Sequence, residues 1–205
     1  MSKILCVYYS RTGKTEALMQ EIARELGCEA VKLEDGVDRS GLRGWLYSGM
    51  QAMARKVTPV NKPETQLPLS EYDLVILGTP VWAGRCSAPM RSFLLEYGET
   101  LKSVAYVITR ASENHYDQVY DQMDLYVNKP RKRAVSICCG TVGSSFWRDE
   151  FLAGIRDERG ICWISLKKLP TAMRLLSASW RIPAYMPTRR GWPSSPGSRR
   201  SSLRW

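Results

Sequence analysis

Ile4-Leu5-Cys6-Val7-Tyr8-Tyr9-Ser10-Arg11-Thr12-Gly13-Lys14-Thr15 begins as an unbroken apolar run and ends in hydroxyls gathered around one glycine. A run that short and that continuous reads as a strand covered on both faces, as in a parallel sheet. Leu18, Ile22 and Leu26 then recur every four residues, the period of a helix. Between strand and helix, the hydroxyls of Ser10, Thr12 and Thr15 with Gly13 among them suit a loop that wraps a phosphate. Glycine allows close backbone approach. The free N–H groups at the start of the helix point at an anion, and the helix dipole favours its charge. Hydroxyl side chains add neutral donors. Two other readings compete. Gly13-Lys14-Thr15 matches the end of a nucleoside-triphosphate loop, but Tyr8 stands where that motif needs its first glycine. Alternatively, Ser10 or Thr12 merely caps the helix.

The pattern continues outward from this loop. Further strands are expected at Glu29–Leu33, Leu74–Gly78, Val104–Thr109 and Ala134–Cys138, after the first at Ile4–Tyr9. Helical faces lie between them: Met90, Phe93, Leu94 and Tyr97, then Tyr116, Val119, Tyr120, Met123 and Val127. Leu42, Trp45, Leu46, Met50 and Met53 make another face behind Ser40; core packing is its plain reading, with a lid or a dimer face as the alternatives. Strand and helix alternate five times, which predicts a three-layer, doubly wound α/β domain over residues 1–160. Aromatic and turn residues also follow the third strand, in Gly78-Thr79-Pro80-Val81-Trp82-Ala83-Gly84.

Ser10-Arg11-Thr12-Gly13-Lys14-Thr15 resembles the [ST]-x-T-G-x-T phosphate loop of the flavodoxin family, and Thr79–Gly84 is similar to that family's second flavin loop. The resemblance implies a five-stranded parallel sheet of order 2-1-3-4-5 with FMN at the carboxyl ends of strands one and three. It implies that Ser10, Arg11, Thr12, Gly13, Lys14 and Thr15 hold the phosphate. Thr79, Pro80, Val81, Trp82, Ala83 and Gly84 would border the ring, with Trp82 stacked on it or beside it. After strand four, Thr109, Arg110 and Ser112 stand where the family contacts the pyrimidine edge, and Arg110 there would stabilise negative charge on a reduced ring. No long insertion interrupts the fifth strand, so the type is the short-chain one.

Charge distribution decides between function classes. The chain of 205 residues has a net charge of +10, but nine of its 30 Lys+Arg and none of its 20 Asp+Glu fall in 161–205. The body is therefore close to neutral, and a nucleic-acid partner is not expected. Residues 161–205 also hold four of seven tryptophans, five prolines and eight serines. That composition reads as a partly disordered tail, and also as out-of-frame translation, which would alter or remove the last helix after Phe146-Trp147. Cys6 and Cys138 read as small apolar residues of strands, and His115 as a surface residue. No membrane span or signal peptide is visible, and a cytoplasmic location is the default. Three functions remain open. An FMN electron carrier would serve a redox partner protein. An FMN-dependent NAD(P)H:quinone-type oxidoreductase would pass electrons to a small acceptor, in a family where a homodimer is common. A flavodoxin-like module without flavin would bind a partner. Carriers are usually acidic, so the near-neutral body, with Arg11, Arg85, Arg91 and Arg110 about the loops, weighs against the first.

Overall fold

A computed structural model describes residues 2–141 and 143–157; the expectations for 161–205 lie outside these residues. The described chain runs β1 (Ile4–Tyr8), α1 (Lys14–Leu26), β2 (Glu29–Lys32), α2 (Gly41–Met53), β3 (Leu74–Trp82), β4 (Arg85–Cys86), α3 (Ala88–Tyr97), β5 (Val104–Arg110), α4 (Asp117–Val127), β6 (Arg133–Cys138) and α5 (Ser144–Asp157). Five strands pair in parallel in the order β2-β1-β3-β5-β6, with β4 set against the end of β3. Leaving out β4, this is the expected 2-1-3-4-5 order.

Alternate residues of the central strands feed two cores, as the two-residue period of a strand requires. Leu5, Val7, Leu77, Tyr106 and Ile108 meet Phe93, Val119 and Met123 on the face of α3 and α4. Ile4, Cys6, Ile76 and Val107 meet Met19, Ile22, Phe151 and Ile155 on the face of α1 and α5. The last helix is thus in place as far as Asp157, on the strength of Phe151, Leu152 and Ile155. Gly78 lies where β3 passes α1: a Cβ there would sit 2.5 Å from Met19 Cγ and 2.9 Å from Tyr8 Cβ. The close approach of helix to sheet depends on that missing methyl. On the same side, the Cys6 and Cys28 sulfurs lie 3.7 Å apart, a pairing that the spacing of the cysteines did not reveal.

Two expectations are corrected. The third strand was expected to end at Gly78, but it continues to Trp82. Thr79 and Pro80 stay in register with Ile108 and Thr109, and then Val81 and Trp82 pair with Cys86 and Arg85 instead. Pro80 lacks an N–H and still ends the parallel pairing without loss, because the chain leaves the main sheet there. The second correction is α2, whose apolar face is outside. Leu42, Trp45, Leu46, Met50 and Met53 are 52–73% exposed, while Gly44, Ser48, Gln51 and Ala52 face inward. Small and polar residues are needed on the inner side because the helix sits directly on Arg39. A Cβ on Gly44 would fall 2.2 Å from the Arg39 carbonyl carbon, and Ser48 Oγ accepts a 3.2 Å hydrogen bond from the Arg39 guanidinium.

Candidate functional site

The carboxyl ends of β1, β3 and β5 bring the three sequence-predicted loops to one edge of the sheet. Tyr8 is level with Gly78, and Pro80 with Thr109. At the first loop, Gly13 adopts the left-handed conformation (φ 81°) as the residue before α1, and no side chain caps the helix. Helix capping by Ser10 or Thr12 is therefore not what the loop does. Ser10 is buried, and its Oγ has no hydrogen-bond partner among the described residues. An orphaned buried hydroxyl costs about 1–3 kcal/mol, so its place beside an uncapped helix start fits an anion that would accept its hydrogen bond. Thr12 and Lys14 are exposed. Thr15 is buried, and its Oγ1 lies 2.7 Å from Thr109 Oγ1, joining the first loop to the third.

At the second loop the side chains divide. Thr79 is fully buried; its Oγ1 accepts a 3.1 Å hydrogen bond from the Ser87 N–H and shares another with Ser87 Oγ at 2.9 Å. That hydroxyl fixes the start of α3. Ala83 (φ 47°) and Gly84 (φ 71°) form the two-residue turn between β3 and β4. Positive φ at both centres is the turn that matches strand twist, and holding it on an alanine stores backbone strain at the site. Pro80 and Val81 are half-buried, and Trp82 is 8% exposed with Tyr9 edge-on at 5.5 Å. Burial, and secondarily the charge of Asp35, pushes the Tyr9 hydroxyl up to about 12, so it stays protonated.

At the third loop the guanidinium of Arg110 turns toward β6. Its Nε donates to Ser136 Oγ at 3.0 Å and its Nη1 to the Ser112 carbonyl. The exposed Ser112 hydroxyl pairs with the Tyr116 hydroxyl at 2.8 Å. Arg91 is not a surface charge either. It is buried, with Nη1 on the Lys56 carbonyl at 3.0 Å and Nη2 on those of Ala52 and Cys86, so it binds the end of α2 to β4.

The loop between β2 and α2 adds a wall that the sequence reading missed. Asp35 and Arg39 form an ion pair at 2.5 and 2.9 Å, with side chains only 4% and 2% exposed. Arg39 lies over the Trp82 ring, 5.2 Å from its centroid, with Tyr47 on another side at 5.7 Å. Arg11 Nη1 reaches the Arg39 carbonyl at 3.3 Å. The first and second loops are thereby joined through a buried cation. The signal in the sequence was the opposite charges of Asp35 and Arg39 four residues apart, which in a Gly- and Ser-containing stretch reads as solvated.

No family model matches the chain. Over 100 residues it is 32% identical to an NAD(P)H dehydrogenase (quinone) of Cupriavidus metallidurans, a match covering 48% of this chain and 48% of that protein. The chain thus aligns with about half the length of that curated relative. Among solved structures, it is similar to a flavoprotein of Lactobacillus acidophilus determined in complex with FMN (TM-score 0.55, 20% identity, 72% of this chain and 99% of that one). It is also similar to a provisionally named flavoprotein of Bacteroides eggerthii (TM-score 0.63, 14% identity, 79% and 100%). The fold is flavodoxin-like.

Proposed function

We propose that the chain binds FMN at the edge formed by β1, β3 and β5 and mediates electron transfer. The observation that carries this reading is the buried, unpartnered Ser10 hydroxyl beside the uncapped start of α1. FMN would supply the redox chemistry through its ring. The residues present would do the rest. Ser10, Thr12 and the backbone N–H groups from Gly13 to Thr15 hold the phosphate, with Arg11 and Lys14 adding positive charge. The backbone from Pro80 to Gly84 borders the ring, Trp82 with Tyr9 walls it, and Thr109 holds the third loop against the first. Arg110 and Ser112 shape that loop by bonding to their neighbours.

A second reading, an FMN-dependent NAD(P)H:quinone-type oxidoreductase, is favoured by the 32% identity to a quinone dehydrogenase and by the nearly neutral body. On either reading the protein works in the cytoplasm, and its partner is a redox protein or a small acceptor. Absorption of the purified protein tests binding: flavin bands that return on adding FMN to stripped protein support the proposal, and a colourless protein indifferent to FMN refutes it. Anaerobic NADPH then separates the readings. Bleaching by NADPH alone selects the reductase, and reduction only by a chemical or protein donor selects the carrier.

A further inference from the structure

The outward face of α2 has no part in the site and no cover among the described residues. Leu42, Trp45, Leu46, Met50 and Met53 form a single ridge along the helix, and Val57 extends it. Each is at least half exposed, while the polar Ser48 and Gln51 are buried beneath. This reverses the usual arrangement of a surface helix, whose apolar stripe faces the core. Charge is also one-sided. From Arg39 to Pro63 there is no Asp or Glu, and Arg43, Arg55 and Lys56 stand exposed at the borders of the ridge. Asp38, just before it, accepts the Ser40 N–H at 2.9 Å. At the far end Glu96 lines a hollow with Val57 and Leu95.

We propose that this ridge docks on an anionic lipid surface, with α2 lying in the plane of the interface. A helix with Leu, Met and Trp on one side and basic residues at its margins is the pattern of interfacial helices. Each basic residue near such a surface adds attraction that salt screens. A second copy laid on it about a two-fold axis would set the three basic residues against their own counterparts, where an anionic lipid neutralises them. The inference does not depend on the flavin.

Co-sedimentation of the full chain with vesicles tests it. Binding to phosphatidylcholine vesicles containing phosphatidylglycerol, weakened by salt and absent with phosphatidylcholine alone, is expected. Leu46→Glu with Met50→Glu should weaken it about tenfold or more, since two large apolar contacts are lost. Both residues are exposed, so circular dichroism should be unchanged; if that pair fails to fold, Leu42→Ser with Met53→Ser carries the same expectation. Three results overturn the proposal: no sedimentation; equal binding of wild type and variants, which assigns the affinity to the basic 161–205 segment; or a wild-type dimer in light scattering that the variants convert to monomer.

Discussion

Two side chains at the site edge make opposite predictions for stability. Ser10→Ala removes a buried hydroxyl that has no partner, so the melting temperature of the flavin-free protein should hold or rise slightly. FMN affinity should fall by about 1–2 kcal/mol, roughly five- to thirtyfold, in a fluorescence titration. Asp35→Asn leaves the Arg39 cation buried without its counter-charge and should cost about 3 kcal/mol in urea unfolding. Arg39→Met should cost a similar amount, and the double variant less than the sum, a coupling that a double-mutant cycle reads directly. Ser10 stood out in the sequence as a candidate because its signal is local: hydroxyls, a glycine and a helix start within six residues. Asp35 and Arg39 did not, because their role comes from burial under α2 and against Trp82, which no local pattern encodes.

Secondary elements were legible where a face meets only one environment. The runs at Ile4–Tyr8 and Val104–Ile108 are apolar throughout because helices cover both sides. For α2 the spacing gave the helix but not its orientation: periodicity locates an apolar stripe and says nothing about what it touches. The end of β3 was missed for a related reason, since the turn residues Ala83 and Gly84 come five and six residues after Gly78, and a hairpin pairing holds the intervening chain extended. Gly78 gives an element-scale prediction. Gly78→Ala should destabilise by about 1–3 kcal/mol in thermal unfolding, because the new methyl enters the space of Met19. Met19→Ala in the same chain should add less than its usual cost, since the space it vacates takes up the methyl.

For the whole molecule, the order of the sheet was legible because alternating strands and helices leave few right-handed arrangements. Burial sets its response to pH. The Tyr106 and Tyr120 hydroxyls are pushed up chiefly by burial, and Cys86 to about 11 by burial. Cys6 is raised well above an ordinary thiol, first by its hydrogen bond with Cys28 and then by burial. Raised acids keep their protons in the folded chain while the unfolded chain gives them up near pH 9 and 10. Their stabilisation is complete below those values and is lost as pH climbs toward the folded ones. The melting temperature should therefore fall steadily from about pH 9 to pH 11 in a thermal scan. On the acid side the lowered groups, Asp38 and Asp73, are both at the surface, and a much shallower slope is expected.

The Arg11–Arg39–Trp82 chain of contacts makes an anion at the first loop visible to light. Indole emission responds to a cation held against its ring, and the backbone carbonyl of that same arginine accepts a hydrogen bond from Arg11 in the first loop. Inorganic phosphate should change the emission of the flavin-free protein, with the change absent in Trp82→Phe and diminished in Arg11→Gln. The fold would then contain its own optical gauge of occupancy, one that needs neither a coloured cofactor nor an attached dye.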